Sequence, residues 1–174
     1  MRRRDLFRRT LGVALASASQ AVVSAREFPP DYDASKDLAR ADWKPQFLDD
    51  HQNQTLIAFS DILIPETDTP GAKAALVNRF LDRLLAADTR SEQRKFIEAL
   101  AYADGAAFER HQAAFVYLTP EQQSEIVRVM AEPVPHKQFT HLKDQIARAY
   151  YASESGMRAL GYDGPPHGEL PGCK

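Results

Sequence analysis

The sequence predicts an all-α protein: an irregular bundle of about four to five helices, with an extended N-terminal arm and a C-terminal tail. Three observations predict it. Apolar residues recur three and four positions apart through successive segments between Asp50 and Tyr151, the spacing of one helix face. A capping hydroxyl followed by proline, a helix-start signal, stands at Thr69-Pro70 and at Thr119-Pro120. No segment alternates apolar and polar residues over a useful length, as a half-buried strand would.

In chain order, residues 26–45 are polar and irregular, with Phe28-Pro29-Pro30 followed by Asp31, Asp33, Lys36 and Asp37. They read as an extended arm with one short helical turn after Ser35. The helical domain spans 46–162. Its first helix runs from about Asp50 to Ile64, sets Leu56, Phe59 and Ile62 or Leu63 on one face, and stops at Pro65. A second starts at Thr69-Pro70 and carries Leu76, Val77, Phe80, Leu81, Leu84 and Leu85, a wide apolar stripe. A third runs from Ser91 to about Ala114 with Phe96, Ile97, Leu100, Ala107 and Phe108, and Gly105 weakens it. Thr119-Pro120-Glu121-Gln122 opens a fourth with the elements of a capping box, and Pro133-Val134-Pro135 closes it. The last long helix, about Lys137 to Tyr151, aligns Phe139, Leu142, Ile146 and Tyr150. A short helix after Ser153 ends at Gly161, and residues 163–174, rich in Gly and Pro, form the tail.

The first 25 residues do not fit this scheme. Arg2, Arg3, Arg4, Arg8 and Arg9 cluster ahead of a bland run from Thr10 to Ala25 that has no polar face. A basic region, an apolar region of about 7–15 residues and a small-residue cleavage site make a secretory signal peptide. Arg3-Arg4-Asp5-Leu6-Phe7-Arg8 resembles the twin-arginine export motif, so Arg3, Arg4, Leu6 and Phe7 are the candidate export residues. Ser17, Ser19 and Gln20 make the apolar region mild, as twin-arginine signals are. A basic amphipathic helix lying on a membrane is the competing reading, and it fails because the arginines do not share a face. Cleavage after Val23-Ser24-Ala25 places the mature start at Arg26 and the mature protein in the periplasm.

Removing that leader leaves 149 residues, enough for one domain with a sizeable core. Its five arginines and Asp5 go with it, which leaves 17 basic and 23 acidic residues and a net charge of −6. An acidic domain argues against nucleic-acid binding, which needs a basic footprint. No later segment approaches the ~18–20 apolar residues that span a bilayer, so a soluble or peripherally held protein is expected. The one cysteine, Cys173, is either an intermolecular disulfide partner or reactive thiol, or an unpaired tail residue without a role.

Motifs that carry chemistry are scarce. The histidines, His51, His111, His136, His141 and His167, form no Glu-x-x-His pair, no His-Glu-x-x-His and no Cys-x-x-Cys-His. They read as solvent-facing or helix-end residues, and no metal site is expected. The acidic loop around Asp61, Glu66 and Asp68 lacks the spacing of a calcium site. There is no G-x-G-x-x-G and no Gly-x-Ser-x-Gly. The chain reads as a component with no catalytic, cofactor or metal residues of its own.

Two stretches together carry a resemblance. ILIPETDTPGA (Ile62 to Ala72), followed by Arg79-Phe80-Leu81-Asp82, and YYASESGMRALGYDGPP (Tyr150 to Pro166) resemble the gluconate 2-dehydrogenase subunit 3 family, over roughly Leu56 to Gly172. The resemblance implies a non-catalytic small subunit. Its expected partner is a large FAD-dependent dehydrogenase subunit of the glucose–methanol–choline type, oxidising sugars, sugar acids or polyols. A cytochrome c subunit with haem c often completes such complexes. The large subunit commonly lacks an export signal, so the small subunit's leader would take both through the twin-arginine translocase. A stand-alone periplasmic binding or scaffold protein is the alternative.

The family offers no catalytic residues to carry over. Ile62–Ala72 and Tyr150–Gly164 read either as partner contacts or as a fold-specific helix junction, and their prolines and glycines favour the junction. Tyr151 and Tyr162 are candidate interface residues, while Tyr150, in phase with Ile146, reads equally as core. The arm and the tail have too little apolar surface to fold alone and suit wrapping a partner, with Cys173 placed to lock the tail.

Overall fold

Helices form where their local caps predict them, with one exception. The computed structural model describes residues 34–162, which belong to one compact unit and contain no strand. Two short helices, α1 (Ala34–Leu38) and α7 (Glu154–Ala159), flank five longer ones. These are α2 (Asp50–Leu63), α3 (Val77–Ala87), α4 (Arg90–His111), α5 (Pro120–Ala131) and α6 (Lys137–Tyr151). A single 3-10 turn, Phe115–Tyr117, joins α4 to α5. The all-α bundle is as expected.

Capping explains most boundaries. The Thr119 hydroxyl accepts from the Gln122 N–H while the Gln122 side chain accepts from the Thr119 N–H, a reciprocal box with Pro120 at the first turn. Asp49 and Gln52 make the same box at α2. Helix α4 ends at His111 and not near Ala114, because Gln112 turns left-handed (φ 55°). It runs through Gly105 without a break, and Phe108, expected on the apolar line, is exposed.

The exception is α3. Thr69-Pro70 predicts a helix start there, yet the helix begins at Val77 behind a left-handed Leu76 (φ 55°). Tertiary packing overrides the local signal. The Ala72 N–H donates to the Ile64 carbonyl at 2.9 Å and closes residues 64–72 into a loop. A Cβ on Gly71 would lie 2.6 Å from Glu66 N and 2.7 Å from Ile64 O, so only glycine lets the loop shut.

Helix α6 packs against α3, α4, α5 and α7, and α2 packs against α3, α4, α5 and the 3-10 turn. Leu56 and Phe59 of α2, Phe96 and Leu100 of α4, Ile126 and Met130 of α5, and Leu142 and Ile146 of α6 are buried together. The Phe59 ring stands 5.9 Å from Phe115 and 6.4 Å from Phe139, so it stitches α2, the 3-10 turn and α6. Each such side chain contributes about 1.5–3 kcal/mol on burial. Ala99, Ala103 and Ala107, four residues apart and buried, keep the inner face of α4 flat for its neighbours.

The described end of the arm lies against its own domain. Asp82 of α3, only 1 % exposed, accepts the N–H groups of Gln46 (2.7 Å), Phe47 (3.0 Å) and Leu48 (2.8 Å). The Arg79 guanidinium donates to the carbonyls of Leu38 (2.6 Å) and Arg40 (2.9 Å) and lies 5.0 Å from the Trp43 ring centroid. Two residues of the quoted Arg79-Phe80-Leu81-Asp82 stretch thus fasten residues 38–48 to α3.

Candidate partner-binding surface

The end of α6 is where the two motif stretches meet. Tyr150 is buried, as its phase with Ile146 allows, and its hydroxyl donates to the Pro70 carbonyl at 2.8 Å. Ser153 then turns the chain: its hydroxyl donates to the Tyr150 carbonyl (2.6 Å) and accepts from the Gly156 N–H (3.1 Å). A Cβ on Gly156 would stand 2.1 Å from the Tyr150 carbonyl oxygen, so α7 presses directly on the last turn of α6. Gly161, at φ 72°, closes α7. For Pro70, Gly71, Gly156 and Gly161 the junction reading accounts for the geometry, and Gly164 lies outside the described residues.

That junction leaves apolar side chains outside. Tyr151 is 47 % exposed, its ring 5.2 Å from that of Tyr150; Leu160 is 67 % exposed and Tyr162 46 %. Two tyrosines and a leucine within twelve residues of sequence, from the end of α6 to just past α7, are exposed side chains of the kind partners cover. Leu160 was not singled out in the sequence, where nothing but its place in the second motif marks it. Arg3, Arg4, Leu6, Phe7 and Cys173 lie outside the described residues.

The ionisable groups are arranged for structure. Among the described residues no group of three or more His, Cys, Asp or Glu is placed to hold a metal ion. His51 pairs with Asp104 at 2.8 Å, and Asp104 also accepts the Phe115 N–H (3.0 Å), which pins the 3-10 turn. His111 ends α4 within 3.3 Å of Glu125, and His136 caps α6 beside the Tyr102 hydroxyl. His141 packs edge-on to Phe96, and His167 lies outside the described residues. The carboxyls shifted below their usual range are surface groups. Asp42 is lowered by a hydrogen bond and the charge of Arg40, Glu92 by Lys95, and Glu121 by its own backbone N–H and Thr119.

None of the described helices is long and apolar enough to cross a membrane.

No curated protein and no solved structure matches the chain. The family model for gluconate 2-dehydrogenase subunit 3 matches residues 50–165, from the first turn of α2 to beyond α7, and takes in the first motif stretch and all but the last residue of the second. That match covers more than half of the 174 residues, and the chain belongs to the gluconate 2-dehydrogenase subunit 3 family.

Proposed function

We propose that this chain is the non-catalytic small subunit of a periplasmic FAD-dependent dehydrogenase of the glucose–methanol–choline type, and that it guides folding and export of the large flavoprotein subunit. The family match over residues 50–165 carries the reading. The complex oxidises a sugar, sugar acid or polyol. FAD sits in the large subunit, and where the complex has a cytochrome c subunit its haem c takes the electrons onward. The exposed Tyr151, Leu160 and Tyr162 support a partner-covered surface at the end of α7.

The export role rests on Arg3-Arg4-Asp5-Leu6-Phe7. A flavoprotein that takes up FAD in the cytoplasm has to cross the membrane folded, and the twin-arginine translocase moves folded cargo. One leader then serves two chains.

The test is a pull-down from periplasm with a C-terminal tag, read by absorption spectrum and non-reducing gel. The expected result is a yellow complex with a large partner, retained in the cytoplasm when Arg3 and Arg4 are replaced by Lys. A partner band that shifts on reduction adds Cys173 to the interface. A colourless protein recovered alone overturns the subunit reading and leaves a stand-alone periplasmic scaffold.

A further inference from the structure

A cleft of about 700 Å³ runs between the 43–48 segment, α2 and the start of α3. Lys44, Lys73 and Arg79 line it against a single carboxylate, Asp50, in a chain where acidic residues outnumber basic ones. Its floor holds two buried amides, Asn53 (8 % exposed) and Asn78 (7 %), joined by one hydrogen bond from Asn78 Nδ2 to Asn53 Oδ1 at 2.8 Å.

Both amides line the cleft, and each carboxamide carries an N–H donor beside a carbonyl acceptor. A donor beside an acceptor is the complement of a peptide unit in an extended chain. The walls are set in advance. Trp43 is held by the Arg79 guanidinium, itself fixed by the Leu38 and Arg40 carbonyls. Leu76, at the opposite wall, keeps a left-handed backbone that a leucine adopts at a cost, a form of strain found at binding sites.

We propose that this cleft docks an extended acidic segment of the flavoprotein partner. The inference rests on the small-subunit reading for the identity of the partner. The Asn53–Asn78 pair reads the backbone, Lys44 and Lys73 pair with carboxylates, and Trp43 covers the aliphatic parts of the segment.

Trp43 is the only tryptophan of the chain and lines the cleft, so its fluorescence reports occupancy. The probe is an acetylated, amidated Ala-Glu-Ala-Glu-Ala-Glu peptide titrated into the full chain at low salt. A saturable change is expected. It should be weaker by about tenfold or more with Gln in place of Glu, and weaker on adding salt. The Lys44→Glu/Lys73→Glu double variant, altered at two exposed positions, should lose the response and keep the wild-type thermal midpoint. No saturable change, an equal response to the Gln peptide, or a response to free gluconate in place of the peptide overturns the proposal. Pull-down of the double variant separates the two readings. A flavoprotein that co-purifies undiminished with it sinks the docking cleft and leaves the subunit role standing. A wild-type chain that brings down no flavoprotein removes the subunit role, whatever the peptide does.

Discussion

The Tyr150 hydroxyl donates a 2.8 Å hydrogen bond to the carbonyl of Pro70, eighty positions away in sequence, and so ties the end of α6 to the loop that precedes α3. Both partners are held on other grounds: Tyr150 by burial, Pro70 by the closed 64–72 loop. Replacing Tyr150 by Phe keeps the ring and orphans one carbonyl. The expected loss is about 1 kcal/mol, at the level of a single hydrogen bond, read as a lower urea midpoint with an unchanged slope. A loss below a few tenths of a kcal/mol would mean that water takes the hydroxyl's place.

Gly156 and Gly105 should respond oppositely to alanine. At Gly156 the added Cβ would meet the Tyr150 carbonyl oxygen at 2.1 Å, with backbone on both sides of the contact. Helix α7 has to shift, and overpacking of this kind costs about 1–3 kcal/mol. Gly105 sits inside α4 with nothing within 4 Å of its Cβ position, so G105A should stabilise by about 0.5–1 kcal/mol. Thermal midpoints of the two variants decide it, and a stabilised G156A would contradict the packing of α7 on α6.

Asp82→Ala should release the 46–48 segment. Three backbone N–H groups lose one acceptor, two of them at 2.8 Å or closer. The cost is about 1–3 kcal/mol, since the buried Leu48 donor is left unpaired while water can reach those of Gln46 and Phe47. Acrylamide quenching of Trp43 should rise in parallel, because Arg79 alone then holds residues 38–43. Unchanged quenching would show that the carboxylate is dispensable for placing this segment.

These sites also mark how far the sequence is legible. Thr119, Pro120 and Gln122 lie within four residues of one another, so the start of α5 is a local matter and reads directly. Thr69 and Pro70 present much the same signal and mislead, because the closure of the loop depends on Ile64 and Gly71 meeting across it. The phase of Tyr150 with Ile146 shows that it points inward, but not that its hydroxyl finds Pro70. Nothing local marks Asp82 as a buried acceptor for a segment 34 to 36 residues away, or brings Asn53 to Asn78 across 25. Tyr151 and Tyr162 are about half exposed, and no local pattern in the sequence shows that.

The acid limb of stability should carry a contribution from Glu121. Hydrogen bonds from its own backbone N–H and from Thr119 hold its carboxyl below the usual carboxylate range. A group whose folded pKa is depressed stabilises the protein above its unfolded pKa, and the effect is lost as pH falls through the folded value. The wild type should therefore exceed Glu121→Gln in urea midpoint at neutral pH, and the gap should close below ~4. A gap that persists in acid would assign the effect to helix capping by either form of the side chain.

Tyr151, Leu160 and Tyr162 are the residues on which the partner surface stands or falls. They are 47, 67 and 46 % exposed, so each tyrosine rests about half of its surface on the isolated chain and Leu160 about a third. Replacing all three by Ser should cost about 1 kcal/mol per site. If a flavoprotein covers them, the same change strips aromatic anchors from an interface, and such anchors cost about 2 kcal/mol or more apiece when truncated. Co-purification of the large subunit should then fall by well over tenfold while the variant remains folded by circular dichroism. An undiminished complex would move the interface away from the end of α7, and would make the cleft beside Trp43 the first place to look for it.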